Sequence, residues 1–204
     1  MKNLFNFKSI LVHTICIAGT LIFATSCDEN KTGDSTEIVE QENVDNMGND
    51  GETAFVVDND GPTKFLMQVS EMQHQEISLA KLAQQKGVST HVKELGKMME
   101  AEHTKTLEEV QQMAQTKSVT IPTAATEDSM DAYEKLADET GADFDKKYSD
   151  MMVEHHGDAI ELFEDAAEDS EDPEIKAWAA QKLAGLRTHL GHAKASKEQS
   201  DKLN

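Results

Sequence analysis

The chain has 204 residues, of which 39 are acidic and 19 are basic, so its formal net charge is −20. A chain this acidic repels the phosphates of nucleic acids and of anionic lipid headgroups, which argues against nucleic acid as a partner. Of its two cysteines, Cys16 lies in a segment that we expect to be removed, so we expect no disulfide in the mature protein.

Residues 1–27 have the pattern of a bacterial export signal. Lys2 and Lys8 form a basic start, and the apolar run that follows them is too short for an ordinary membrane-spanning helix. The run ends in small residues before Cys27, as in a lipoprotein signal, where the cysteine becomes the lipidated N-terminus. We expect a membrane anchor at Cys27 and a place in the bacterial cell envelope, periplasmic or at the outer membrane. The alternative is an ordinary cleaved signal that leaves a free thiol.

Residues 28–61 are rich in acidic residues and glycine and poor in apolar ones. Such a stretch buries too little surface to fold, so we predict a disordered acidic tether. Residues 62–204 are long enough for one compact domain.

This domain is predicted to be all-α. Aromatic residues make up 5% of the chain, and three prolines punctuate the pattern at Pro62, Pro122 and Pro173. Apolar residues recur at alternating spacings of four and three, which is typical of buried helical faces. We predict long helices over 63–86, 89–117, 142–169 and from 173 onward, with a short helix over 129–137. The first helix should stop at Gly87, in the manner of a C-terminal glycine cap.

The short turns after the first and third long helices predict two helical hairpins. A longer segment containing the short helix joins them. The expected architecture is a four-helix bundle whose crossover can take either direction.

Each long helix carries one Glu or His at a position of its seam that should be apolar. These residues are Glu76, His103, His156 and His189. Burying such groups costs several kcal/mol unless they are paired, hydrogen-bonded or bound to a metal. We therefore predict a buried polar site inside the bundle.

Distances along the chain place these residues in two level pairs. Glu76 and His103 differ in height by about three residues, or roughly 5 Å, and His156 and His189 by roughly 3 Å. Whether the two pairs meet depends on the crossover between the hairpins, and the sequence does not determine the direction of that crossover. It is also open whether His155 or His156 faces the core, because the two apolar stripes of that helix are nearly equal.

Three further residues are candidate additional ligands. Glu100 stands three residues before His103, which is the Glu-x-x-His spacing of di-iron bundles. His155 is adjacent to His156, and His192 stands three residues after His189. The number of carboxylates falls short of a di-iron site, so we expect no di-iron oxidase chemistry.

A site of one Glu and three His suits a transition metal such as copper, iron or zinc. Nearby methionines, including Met72 and Met99, would favour Cu(I), although methionine is more often flexible filler of helical cores. The alternative is a metal-free, hydrogen-bonded layer that fixes the register of the bundle. In it, Glu76 pairs with a protonated histidine, and the other histidines bond to Tyr148, Thr106 or water.

Several stretches, taken in order, resemble the bacterial domain-of-unknown-function family 4142. They are 76–83, 98–105, Ile121-Pro122, 141–148, the helix with His156, and Leu186-Arg-Thr-His189. This resemblance implies an exported protein with a ferritin-like four-helix fold, in which Glu76, His103, His156 and His189 are the matching polar positions. Residues 151–160 and 172–177 are also similar to family 305, and some of its ferritin-like members are implicated in copper or silver binding.

Two functions follow as hypotheses. The first is a lipid-anchored envelope protein whose bundle binds a metal for storage, sequestration or tolerance, without catalysis as its main role. The second is a metal-free structural or interaction module of the envelope, in which the Glu and His residues serve only the register of the bundle.

Overall fold

The computed structural model describes residues 61–203, apart from the side chain of residue 128. Five helices follow one another: α1 (Pro62–Lys86), α2 (Thr90–Lys117), α3 (Glu127–Ala137), α4 (Gly141–Asp169) and α5 (Pro173–Ser200). The all-α prediction is confirmed. The export signal, Cys27 and nearly all of the acidic tether lie outside the described residues.

Local sequence explains where the helices begin and end. The hydroxyl of Ser89 accepts from the Val92 amide at the start of α2, and the Asp172 carboxylate accepts from two amides at the start of α5. Gly87 ends α1 without a left-handed conformation. A side chain at residue 87 would lie 2.6 Å from the carbonyl oxygen of Ala83, so glycine is needed there for close approach and not for a positive φ.

The four long helices form the predicted bundle of two hairpins. Helix α1 packs closely on α2, and α4 packs closely on α5, while α3 lies against α1 on the crossover. The Asp145 carboxylate of α4 accepts from the amides of Val88 and Ser89, which fastens the first hairpin's turn to the second hairpin. None of the helices within residues 61–203 combines the length and apolar character needed to cross a bilayer.

The core consists of two apolar clusters stacked along the bundle axis. Phe65, Val69, Val110 and Phe163 belong to one, and Leu79, Met99, Phe144 and Met152 belong to the other. Between these clusters, each long helix turns at least one polar side chain toward the bundle interior. We call this set the polar layer, and it comprises Gln73, Glu76, His103, His155, His156 and His189.

Candidate metal centre

Three histidines from three helices meet in the polar layer. One ring nitrogen from each of His103, His156 and His189 lies within 4.8 Å of the others. Their ring centroids are 5.3 to 5.5 Å apart, so the rings form a nearly equilateral triangle. We call these three residues the histidine cluster. The two predicted hairpin levels therefore align, which the sequence had left open.

Hydrogen bonds determine which ring nitrogens face the centre. The Nδ1–H of His103 donates to the side-chain oxygen of Gln73 at 2.8 Å, and the Nδ1–H of His156 donates to the backbone carbonyl of Met152 at 2.9 Å. In a neutral imidazole, a proton on Nδ1 leaves Nε2 with a free lone pair. Histidines that ligate metals are held by the same kind of bond from their other nitrogen.

The two free Nε2 atoms of His103 and His156 lie 3.3 Å apart. With both protons on Nδ1, no proton stands between these atoms, and two lone pairs face each other in a buried site. Two nitrogens bound to one tetrahedral metal at about 2.0–2.1 Å are separated by about 3.3–3.4 Å. The spacing therefore fits a bridging cation better than a hydrogen bond.

His189 forms the outer corner of the histidine cluster. It is half-buried, whereas His103 and His156 are 5% and 1% exposed. Its Nδ1 is buried and has no hydrogen-bond partner among residues 61–203. An unpaired buried nitrogen is costly, and a bound cation would satisfy it.

Glu76 lies in the same layer, but its nearest polar partner is not in the histidine cluster. Its Oε1 accepts from Nδ1–H of His155 at 3.0 Å. Its Oε2 is buried without a hydrogen-bond partner among the described residues. Both members of the His155–His156 pair thus point inward, His156 to the cluster and His155 to the carboxylate.

Burial and neighbouring charges shift the pKa values of these groups. Burial, helped by the nearby histidines, lowers the pKa of His103 and of His189 to about 4, so both are neutral at pH 7. Burial by itself raises the pKa of Glu76, but the hydrogen bond from His155 and the adjacent histidines bring it down to about 2. Burial likewise opposes charge on His155, yet its bond to Glu76 raises its pKa overall. His103 and His189 therefore present neutral imidazoles in the same layer as a carboxylate, the protonation states that metals require.

Two spaces adjoin the layer. A cavity of about 10 Å³, the size of a single small sphere, is bounded by Met72, Glu76, His103, His155 and His156, among others. A larger and more open pocket of about 170 Å³ is bounded by His103 and His189 on one side of the bundle. The cluster thus lies between a closed interior and a pocket that opens outward.

Two of the additional candidates lie elsewhere. The Glu100 carboxylate accepts from Gln84 at 2.6 Å and lies 3.8 Å from the Lys81 amine. His192 is exposed and lines a separate pocket with His91 and Met98. Neither belongs to a group of three candidate ligands within the described part of the chain. A spacing of three positions is nearly a full helical turn, but the side chain of Glu100 contacts Gln84 of α1 instead of the histidine cluster.

Sequence reasoning missed Gln73 as a partner of His103. Gln73 is 3% exposed and precedes Glu76 by three residues, so it shares the inward face of α1. The signal was a second polar residue on that seam. Tyr148, proposed as a hydrogen-bond partner in a metal-free layer, has a buried hydroxyl with no partner among residues 61–203.

The sequence matches a family described as a domain of unknown function, DUF4142, over residues 53–195. The chain belongs to the DUF4142 family. This confirms the resemblance drawn from the ordered stretches of sequence, whereas the local likeness to family 305 stays a prediction. A comparison with curated proteins found no match.

Two solved structures resemble this DUF4142 protein. CopM in its Cu(I)-bound form has 19% sequence identity and a TM-score of 0.56, and the match covers 67% of this chain and 95% of CopM. CopM in its Cu(II)-bound form has 17% identity, with the same TM-score and coverage. Similarity at this level shows a shared helical-bundle fold.

Proposed function

We propose that the bundle binds one transition-metal ion through His103, His156 and His189. The observation that carries the proposal is the 3.3 Å separation of two Nε2 atoms whose rings are each held by a donated Nδ1 proton. A metal ion turns this repulsive arrangement into a favourable one, and three imidazoles are a strong ligand set.

Glu76 remains the candidate fourth ligand. Its Oε2 is buried with no hydrogen-bond partner among residues 61–203, and its negative charge offsets that of a bound cation. His155 holds the other carboxylate oxygen, as partners outside the ligand set do in metal sites.

We favour copper over zinc and iron. Imidazole suits all three metals, but the thioether of Met72 borders the small cavity beside Glu76 and His103, and thioethers select Cu(I). The two CopM structures of the same fold are copper-bound forms. Among divalent ions, an imidazole site also prefers Cu²⁺ to Zn²⁺.

The biological role that fits is copper sequestration or tolerance at the cell envelope, with the domain anchored through lipidated Cys27. The strong negative charge of the chain attracts cations. Ligands drawn from the bundle core favour retention of a metal over turnover of a substrate.

The test is metal stoichiometry in the full chain, purified without a polyhistidine tag and loaded with Cu⁺, Cu²⁺ or Zn²⁺. We expect one tightly bound ion per chain by elemental analysis after desalting. His156→Ala and His103→Ala should each lose it. His192→Asn is the matched control, because it removes a histidine three residues from His189 that stands outside the cluster, and it should retain the ion.

A wild-type protein that takes up no ion stoichiometrically would contradict the proposal and favour the metal-free register layer. An ion retained by both alanine variants would place it elsewhere, for instance on Cys27.

A further inference from the structure

The 170 Å³ pocket leads from the surface to the histidine cluster between α2 and α5. His103, His189 and Gln73 form its inner end. Glu102, Lys182 and Gly185 are among the residues that form the rest of its wall. We call it the access pocket.

Gly185 lines this pocket without a side chain. It lies on α5, one turn before His189, and a Cβ built on it would meet nothing within 4 Å. Glycine costs about 0.5–1 kcal/mol relative to alanine inside a helix, and no close approach of backbone requires it here. A larger side chain at residue 185 would therefore extend from the wall of the access pocket into unoccupied space.

Glu102 places a carboxylate on the same path. Its side chain is 47% exposed and lines the access pocket together with His103 and His189, and its Oε1 accepts from the Lys105 amine at 2.9 Å. A half-exposed carboxylate beside neutral imidazoles is suited to a first, weak contact with an incoming cation.

The other side of the polar layer is closed. Glu76 and His156 are 3% and 1% exposed, and the hydrogen bond from His155 to Glu76 spans the layer between α1 and α4. The cavity on that side holds only about 10 Å³.

We propose that the access pocket is the route by which a metal cation reaches and leaves the histidine cluster, with Glu102 as the capture group and Gly185 as the open position that lets the ion pass. This inference rests on the proposed metal binding and adds the route that the ion takes to its site. It predicts the rates of metal uptake and release, which can change while the affinity stays the same. An obstacle on the path slows uptake and release by the same factor and leaves the dissociation constant unchanged.

The experiment compares Gly185→Leu with Gly191→Leu in the full chain. Both glycines are exposed on α5 with nothing within 4 Å of a built Cβ, but only Gly185 lines the access pocket. Uptake of Cu²⁺ is followed by stopped-flow quenching of Trp178, the single tryptophan, whose ring centroid lies 5.4 Å from that of the pocket residue Phe163. Release is followed after mixing with an excess of chelator.

We expect Gly185→Leu to slow both rates about tenfold or more, because the ion must then wait for local opening of the helices. Gly191→Leu should match the wild type. Gly185→Ala, which adds one methyl group to open space, should give an intermediate slowing and serves if the leucine variant folds poorly.

Glu102→Gln tests the capture group against Glu108→Gln, an equal change of charge on α2 outside the pocket. The first should slow uptake about threefold at low salt and lose that effect at high salt, since the attraction is screened. Glu108→Gln should change the uptake rate only by the small amount expected from one unit of net charge.

Equal rates for the two leucine variants would overturn the access route. So would a loss of affinity in Gly185→Leu that comes from faster release with unchanged uptake, because that pattern indicates damage to the site. If the wild type binds no copper, the proposed function itself fails, which is a distinct result.

Discussion

Gln73 decides how His103 is presented to its neighbours. By accepting the Nδ1 proton at 2.8 Å, it keeps Nε2 unprotonated and aimed at His156. Without that acceptor, the proton of His103 could move to Nε2, where it would occupy the ligand position. The role of Gln73 is therefore to position a ligand.

Gln73→Leu should weaken metal binding about 10- to 100-fold, the usual cost of losing a partner of a metal-ligating histidine. The dissociation constant from a competition titration measures this. Gln68→Leu, at an exposed residue of the same helix, is the control and should leave the constant unchanged. Equal affinity of Gln73→Leu and wild type would show that the tautomer is set by other means.

Four polar residues on apolar seams could be recognised from sequence, and three of them form the histidine cluster. The hydrogen-bond partners of these residues could not be recognised from sequence. His155 and His156 are adjacent and differ by about 100° in direction around the helix. Rotation of α4 about its own axis therefore decides which of them faces the centre of the bundle. Packing of α4 against the other three long helices sets that rotation. The same packing determines that Glu76 bonds to His155.

At the scale of helices, the first hairpin depends on a close approach at Gly96. A Cβ there would lie 2.7 Å from the carbonyl oxygen of Ala80 and 3.1 Å from the Cβ of Ala83. The obstacle is backbone, which yields little, so α1 and α2 can pack this closely only around glycine.

Gly96→Ala should lower the free energy of unfolding by about 1–3 kcal/mol through overpacking. Urea denaturation of the metal-free protein measures the change. Gly191→Ala, in open space, should instead raise stability by about 0.5–1 kcal/mol through better helix propensity. A Gly96→Ala variant as stable as the wild type would contradict the close packing of the hairpin.

The start of α5 depends on the charge of Asp172. Its carboxylate accepts from the amides of Glu174 and Ile175 and lies 2.5 Å from the Lys117 amine. The bond from Lys117, opposed by partial burial and assisted by the amides, lowers the pKa of Asp172 below its usual 3.8. A carboxyl with a lowered pKa stabilises the fold above its unfolded-state value and loses this effect as pH falls through its folded-state value.

Asp172→Asn keeps a capping side chain but removes the charge, so it should cost about 1 kcal/mol at neutral pH. The difference from wild type should shrink as pH falls through the lowered pKa of Asp172 and vanish once this carboxyl is protonated. Urea denaturation at several pH values checks this, with Glu171→Gln as an adjacent change of equal charge that should show a smaller effect. A difference that persists unchanged into acid would mean that charge is not the cause.

The helices themselves were well predicted, since seam spacing, prolines and capping residues are local signals. The prediction for α1 began one residue late, and the short α3 begins two residues earlier than expected. Gly87 is the C-cap of α1, as predicted, but the need for glycine there comes from its close approach to the Ala83 carbonyl and not from a positive φ.

At the scale of the whole molecule, the histidine cluster joins the two hairpins. His103 comes from α2, while His156 and His189 come from α4 and α5. Packing is closest within each hairpin, so the cluster bridges the more loosely packed interface. An ion bound there should stabilise the native assembly of the hairpins.

Copper at about 100 times its dissociation constant should add about 2.7 kcal/mol of stability and raise the Tm by roughly 5–10 °C. His103→Ala should lose this rise, because it removes the only ligand of the cluster contributed by the first hairpin. His192→Asn should keep it. A rise of equal size in His103→Ala would show that the ion acts outside the cluster.

The meeting of the two hairpins was beyond sequence reasoning. The crossover of residues 118–140 determines their relative height, and it is held by scattered contacts such as the bond from the Ser70 hydroxyl to the Pro122 carbonyl. Such contacts join residues far apart in the chain and leave no periodic signal.

The central claim is that one ion is bound by three histidines in the middle of the bundle. Anomalous X-ray diffraction from crystals of the copper-loaded protein tests it most directly. The account predicts a single strong anomalous peak about 2.0–2.2 Å from one ring nitrogen of each of His103, His156 and His189. Copper bound only at other residues, with no peak between these three rings, would contradict it.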